Sequence, residues 1–510
     1  MRKATLVLVT VVVLLFMAGC GSQSPSTAHE VSSTATAPVA LTITDTPPDG
    51  VTVLFFQLTI TGATLSPGDV PLLSSNRMIP VNVSQLQTES AFLGNASVAA
   101  GTYTGLSLTF ANPQLTIYNA SNSAISSTCA IGSVCQLTPT TTPLTLSFSS
   151  TPFPIDLSAS SPLAFKLDIH LNTVIQSDLT VNLAATDGVT LSKLLPPSAG
   201  RPIPGIGKLR GTVQSVGTDQ FTLQAFDGRN FTILVDSNTA YNFPTSVCSA
   251  DAFSCLATGQ VVKVTVSLQS DGSLLATKVK YVQLSTQQTV EGNIVNLATS
   301  GSNTIMDLIL ENDPSASMAT TFPLGHHATV TVPSSGVSYA VDSGSFVIPS
   351  GLSFASASDL QVGQDVLVDV VQGSTTSSMA TGTTANATHF GHGRITFTTD
   401  SIQLEPGQVT GMVQTITSDS LSFTLQTFAN FFVDCLGKSG AAPGWAPIQI
   451  TVQTTDATTF NGFTTNSFSG LATSNVVSVH GWLFSTPSGA TTTTVAADSI
   501  LLRPGPTPLF

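Results

Sequence analysis

The side chains best suited to chemistry in this sequence are histidines and aspartates gathered in a few short stretches. His326 and His327 are adjacent, and His389 and His392 follow in His389-Phe-Gly-His392-Gly-Arg394. Four imidazoles brought together over one sheet could ligate zinc, nickel or copper, because imidazole suits all three. The competing reading is solvated loop histidines in a Ser/Thr/Gly-rich insertion, and no cofactor is expected unless these loops converge on a divalent metal. Asp45 and Asp49 flank Thr-Pro-Pro, where two carboxylates and nearby carbonyls could join a calcium site; turn capping accounts for the same residues. Asp365 and Asp369 stand four apart on one strand face, about 13 Å by the strand rise, which exceeds the roughly 5–9.5 Å of a glycosidase carboxylate pair. They read as solvated surface acids. The sequence has no G-x-S-x-G elbow, no H-E-x-x-H, no Walker A loop and no dinucleotide fingerprint. His29-Glu30 opens like a zincin motif but lacks the second histidine. The chain is expected not to be an enzyme, with a metal-dependent enzyme built on His326, His327, His389 and His392 as the distant alternative.

The elements that must hold these residues are strands. Between residues 39 and 193 short apolar runs alternate with turn residues, as in Phe55 to Ile60, Tyr103 to Phe110 and Phe165 to Leu171. That spacing predicts a β-sandwich. One short helix is expected from Ser84-Gln85-Leu86-Gln87, a capping-box-like start, through Phe92. Residues 194–208 hold prolines and glycines without alternation and read as a linker. Beyond it the chain repeats. Gly211-Thr-Val-Gln, Gly292-Asn-Ile-Val and Gly411-Met-Val-Gln each open a module, and Phe221-Thr-Leu-Gln returns as Phe423-Thr-Leu-Gln. Later, Leu256-Ala-Thr-Gly-Gln-Val corresponds to Leu360-Gln-Val-Gly-Gln-Asp and Leu471-Ala-Thr-Ser-Asn-Val. The modules occupy residues 209–285, 289–405 (with long loops) and 408–504. In the first, strands are expected near 211–217, 220–226, 230–236, 260–268 and 274–282, with Val262, Val264, Val266 and Leu268 on a core face and Lys263, Thr265 and Ser267 on a wet one. The fold class is therefore all-β, a sandwich followed by three small five-stranded OB-like barrels or sandwiches.

The chain has 510 residues, a formal charge of −13 and 8% charged residues. Ser, Thr, Asn, Gln and Gly must therefore supply most of the solvated surface. Duplex binding depends on several cationic phosphate contacts, and no basic run offers them, so nucleic acid is not an expected partner. Arg2 and Lys3 precede an apolar stretch and Met17-Ala18-Gly19-Cys20. Residues 1–19 read as a secretory signal. The end resembles the lipobox of bacterial lipoproteins, which implies that Cys20 is acylated and becomes the first residue of the mature chain. Gly21, in place of aspartate, then implies the outer membrane rather than inner-membrane retention. Residues 20–38 read as the lipidated cysteine and a flexible Ser/Thr/Ala/Pro tether, and residue 39 as the start of folded structure. The later cysteines suit an oxidising compartment, with Cys129/Cys135 and Cys248/Cys255 spaced for short disulfide loops and Cys435 left over.

Residues 39–190, with Leu41-Thr-Ile-Thr-Asp45-Thr-Pro-Pro-Asp49-Gly-Val51 and Ala100-Gly-Thr-Tyr-Thr104, resemble the bacterial lipoprotein family known as domain of unknown function 4382. The three modules resemble domain of unknown function 5666. The resemblance implies an all-β, modular envelope protein and brings no catalytic residue. The expected role is a non-catalytic binding or adhesion protein of the bacterial cell envelope, periplasmic or surface-facing. It would be held to membrane lipid through acylated Cys20 and would contact polysaccharide or protein. Tyr103, Tyr118, Trp445 and Trp482 could stack on sugars, although core packing is the more ordinary role for them. A passive spacer of the envelope is the nearest alternative.

Overall fold

Alternation of apolar residues sets the strands of the N-terminal body. In Leu163–His170, Leu163, Phe165, Leu167 and Ile169 enter one core while Lys166, Asp168 and His170 lie only half-buried between them. The computed structural model describes residues 36–46, 52–73, 78–86, 90–119, 124, 129–130, 134–159, 162–176, 178–194, 203–244, 247–250, 252–284, 288–312, 322–344, 346–378, 394–427, 449–485 and 492–503. Two sheets enclose the first core. One runs in the order Val189–Leu194, Leu163–His170, Thr36–Thr46, Ser90–Ala99; the other is built on Thr145–Phe148, Gly105–Tyr118 and Thr52–Ser66. Thr36–Thr46 lies parallel to Leu163–His170 and antiparallel to Ser90–Ala99.

Three local expectations are corrected. Residues 36–38 belong to strand Thr36–Thr46 rather than to the tether, and Ala37 is fully buried there. The expected helix through Phe92 is a single 3-10 turn, Val83–Gln85, after which the chain re-enters a strand, Ser90–Ala99. Phe92 and Leu93 must be buried in two different cores on opposite sides of that strand, and period-two geometry provides this. Residues 203–208 are strand rather than linker. They start Ile203–Val216, which pairs with Gln260–Leu268 and, at Ile206 and Gly207, with Ser90 and Ala91 of the sandwich. Pro204 and Gly205 sit where the register shifts, a position where a missing N–H costs little. Among the described residues the one α-helical turn is Leu171–Val174, and no helix is long and apolar enough to cross a membrane.

Three five-stranded barrels follow. In the first, Ile203–Val216, Gln220–Ala225, Asn230–Leu234, Gln260–Leu268 and Leu274–Leu284 form a closed ring. Strand three meets the last strand in parallel, Ile233 with Leu274 and Leu234 with Leu275; the last strand pairs antiparallel with the fourth, and the fourth antiparallel with the first. The third barrel repeats this circuit with Gly407–Thr417, Ser422–Thr427, Gln449–Gln453, Val476–Phe484 and Thr494–Arg503. In the second, the last strand is broken into Arg394–Thr398, which pairs with His327–Val332, and Ser401–Glu405, which pairs with Asp365–Asp369. Val262, Val264, Val266 and Leu268 are core as expected, but the opposite face is not uniformly wet. Ser267 and Lys280 are buried there too, under neighbouring parts of the chain.

The repeated sequences have local causes. A β-carbon added at Gly211, Gly292 or Gly411 would lie 2.1, 2.5 or 2.4 Å from the carbonyl oxygen of Gln224, Ile309 or Gln426. Each of these glycines lets the first strand of its barrel press against the second. The later motif is a turn. Gly259, Gly363 and Ser474 hold left-handed backbone, φ +87°, +95° and +70°. The amide next in sequence, on Gln260, Gln364 or Asn475, accepts the N–H of Ala257, Gln361 or Ala472 at 2.7–2.8 Å.

Two substitutions of opposite sign test these causes. Gly411→Ala is expected to lower stability by about 1–3 kcal/mol through backbone displacement. Ser474→Gly, which puts at this turn the residue found in the other two barrels, is expected to raise it by about 0.5–1 kcal/mol. Urea denaturation of the full chain reads both; a neutral Gly411→Ala or a destabilising Ser474→Gly would contradict the account.

Candidate functional site

The outer faces of the barrels bring several ionisable residues of this charge-poor chain together in seams. The densest cluster lies between the first and second barrels. Lys280, on the last strand of the first barrel, projects away from the core that Val279 enters. Its Nζ lies 2.5 Å from Asp342 Oδ2 and 2.6 and 2.7 Å from the two oxygens of Glu405. Asp342 follows strand Ser338–Val341, and Glu405 ends strand Ser401–Glu405, so one edge of the second barrel supplies both acids. Asn242 of the first barrel donates through Nδ2 to Asp342 Oδ1 at 2.6 Å. Alongside, Arg210 Nη1 contacts Glu291 Oε2 at 2.5 Å and Lys263 Nζ approaches Glu291 Oε1 at 3.8 Å.

Burial divides the two acids facing Lys280. Desolvation opposes ionisation of Asp342, but Lys280 and Lys278 beside it overcome this and hold its carboxyl below the usual range. Desolvation pushes Glu405 above its usual range despite Lys280, and the charges of Asp342 and Glu291 add to the push. Two carboxyls shifted in opposite directions thus face the same amine, an arrangement able to exchange protons.

Other seams use the same means. Between sandwich and first barrel, Arg229 pairs with Asp227 at 2.6 Å, donates to the carbonyls of Phe92 and Leu93, and lies 5.0 Å from the Phe231 ring centroid. Between sandwich and second barrel, Thr116 Oγ1 and Gln136 Nε2 donate to the Gly325 carbonyl at 2.7 and 3.0 Å, and Phe55 lies where a Gly325 β-carbon would be. Leu54, Phe55 and Val134 pack there on Ile309. Between second and third barrels, Trp482 stacks on Phe346 at 5.2 Å, and Gln364 donates to the Leu483 carbonyl at 2.9 Å.

The residues singled out from sequence divide accordingly. Cys129–Cys135 and Cys248–Cys255 are disulfides. His327 does not lie in a loop: it begins strand His327–Val332 and is buried, with Nε2 3.1 Å from Asp307 Oδ1. Thr329 and Asn296 also donate to Asp307, at 2.6 and 2.9 Å. Burial alone would raise the Asp307 carboxyl, but His327 and these hydrogen bonds bring it down to about 2. His326 is half-buried, and its carbonyl accepts the Leu310 N–H. Asp45 is not in a turn; its backbone continues the first strand opposite Ile169. Cys20, Asp49, His389, His392, Cys435 and Trp445 lie outside the described residues, as does the side chain of Asp45. Among the described residues no three His, Cys, Asp or Glu side chains are placed to share a metal. Tyr103 is buried and its hydroxyl donates to the Ala99 carbonyl, Tyr118 packs half-buried beside Phe55, and Trp482 belongs to a seam.

Asp365 and Asp369 also depart from expectation. Asp365 accepts from Asn293 at 2.6 Å. Asp369 is half-buried near Tyr281 of the first barrel, and its carboxyl is pushed up to about 6, first by desolvation and then by the charge of Asp400. Lys280, Asp342 and Glu405 were not foreseen. The available signal was a lysine inside an apolar strand, but its acids lie far along the chain, Glu405 by 125 residues.

With this geometry in place, residues 36–191 match the family described as Domain of unknown function (DUF4382), and residues 210–280 match that described as Domain of unknown function (DUF5666). The second match covers the first barrel, and the other two barrels share its circuit of strands. No curated protein matches the chain.

The raised Asp369 carboxyl gives a pH prediction with a definite sign. From the unfolded value near 4 up to about 6 the folded chain keeps a proton that the unfolded chain has released, so stability falls as pH rises through that window. Asp369→Asn is expected to remove this fall and to be more stable at pH 7.5 by on the order of 1–2 kcal/mol. Urea midpoints at pH 4 and pH 7.5 read the difference; an unchanged gap between the two pH values in the variant would contradict it.

Proposed function

We propose that this chain is a lipid-anchored protein of the bacterial cell envelope with a non-catalytic binding or adhesion role. The observation that carries the reading is the division of its polar groups. Buried ionisable side chains such as Lys280, Asp342, Glu405, Arg210 and Glu291 face one another across seams, where they join bodies of the protein. Several solvent-facing strands carry neutral hydroxyl pairs, among them Thr415 with Thr424 at 2.6 Å and Ser107 with Ser147 at 3.3 Å. Rows of hydroxyls suit hydrogen bonding to polysaccharide hydroxyls or to a protein surface. The anchor rests on the lipobox-like Met17-Ala18-Gly19-Cys20, and Gly21 after it would leave the outer membrane as the address. A passive spacer is the second reading, and the docking of sandwich and barrels through their seams favours it.

Two measurements test the proposal. Cys20→Ser is expected to move the protein from the membrane to the soluble fraction of cells; unchanged fractionation would remove the anchor. The full chain is expected to bind at least one envelope polysaccharide saturably in isothermal titration, with affinity reduced several-fold by the Thr415→Val/Thr424→Val variant. Absence of binding across an envelope polysaccharide and envelope protein panel would leave the spacer reading in its place.

A further inference from the structure

The cluster between the first and second barrels has a geometry that an ion pair does not require. We propose that Lys280 and Asp342 become joined by an amide, an isopeptide bond that covalently ties the first barrel to the second, with Glu405 as the proton-transfer catalyst.

The reacting atoms are already in place. Nζ of Lys280 lies 2.5 Å from Asp342 Oδ2, which puts it within about 3.7 Å of the carboxyl carbon given the length of a C–O bond. That is close to a near-attack separation. Lys280, Asp342 and Glu405 retain only 7%, 4% and 2% of their side-chain exposure. A site this dry keeps bulk water from competing with the amine. Each carboxyl has a distinct set of contacts. Asp342 Oδ1 accepts from Asn242 Nδ2 at 2.6 Å, a donor placed for negative charge that develops on that oxygen during attack. The backbone N–H of Asp342 donates to the Leu404 carbonyl, which fixes its position beside Glu405. Glu405 presents both oxygens to the same Nζ, so either can take up a proton from it.

The step balances without an added reagent. A proton passes from the Lys280 ammonium to Asp342 Oδ2, leaving an amine and a carboxylic acid. The Nζ lone pair attacks the Asp342 carboxyl carbon and forms the N–C bond. Glu405 takes a second proton from Nζ and returns one to Oδ2, which departs as water when the C–O bond breaks. Nothing is oxidised or reduced. The raised carboxyl of Glu405 is in keeping with a group that can hold the travelling proton. Each of the three side chains is supplied by a different strand or strand end, so the bond can form only after both barrels have folded and docked. The inference does not depend on the proposed binding role.

Mass spectrometry of the full-length protein decides it. No Lys or Arg lies between Lys280 and Arg394, and Glu291 and Glu311 provide cleavage points for endoproteinase Glu-C. A digest with trypsin and Glu-C is expected to yield a branched peptide with arms 279–291 and 312–394, lighter by one water than its two linear parts and fragmenting at a Lys280–Asp342 junction. Recovery of the linear peptides alone, with Lys280 cleaved by trypsin and Asp342 intact, would overturn the proposal without recourse to any variant. Asp342→Ala is expected to abolish the branch; a branch transferred to Glu405 would overturn the assignment of the acceptor. Glu405→Gln, checked for folding by circular dichroism, is expected to leave most of the chain linear, and full cross-linking in that variant would overturn the catalytic role of Glu405.

Discussion

Each barrel is closed by a short parallel contact between its third and last strands, and the rest of the structure depends on that closure. In the first barrel it comprises two residue pairs, Ile233 with Leu274 and Leu234 with Leu275. The third barrel uses Thr451–Gln453 against Thr494–Ala496, and the second uses Ala328–Thr331 against Ile395–Thr398. A parallel contact cannot be made by a hairpin; it needs a crossover. The chain supplies this through the short strand, the 3-10 turn and the fourth strand that intervene in every barrel. Without closure, unpaired backbone edges would remain on a chain with 8% charged residues, too few to guard them by charge.

Closure uses up most of the barrel backbone, so beyond the short pairing of Ile206 and Gly207 with Ser90 and Ala91 it is side chains that join one barrel to the next and to the sandwich. Several of the scarce charges lie here. Lys280, Asp342 and Glu405 are nearly dry, and taking such groups from water costs several kcal/mol per ion before their mutual attraction repays any of it. An arrangement of that kind adds modest stability at best, but a displaced seam would leave buried charge uncompensated, so it fixes one docking geometry strongly. The aromatic seam of Trp482 on Phe346 and the carbonyl of Gly325, held by Thr116 and Gln136, fix geometry by shape and hydrogen bonds instead. The cysteine pairs act within single bodies, and the glycines Gly211, Gly292 and Gly411 let barrel strands approach closely enough to close.

The strands were legible in the sequence because alternation is a local property. The first-barrel strands expected near 220–226, 230–236 and 260–268 correspond to Gln220–Ala225, Asn230–Leu234 and Gln260–Leu268. What was not legible depends on distant partners. Phe92 looked helical in its own neighbourhood and is extended because barrel one receives it on one side while Leu93 fills the sandwich on the other. Residues 203–208 looked like a linker because prolines and glycines conceal a strand whose partners lie on two other bodies. His327 looked like a loop ligand, and its role follows from Asp307 on the adjoining strand. The Lys280 cluster combines residues that lie apart in sequence, and composition showed only that such charges would be few.

The account holds that sandwich and barrels are one cooperative unit, coupled through desolvated seams rather than strung on flexible connections. Differential scanning calorimetry of the full chain tests this most directly. The account predicts a single transition whose calorimetric enthalpy matches its van't Hoff enthalpy. Two or more resolved transitions, each matching the size of one barrel or of the sandwich, would contradict it.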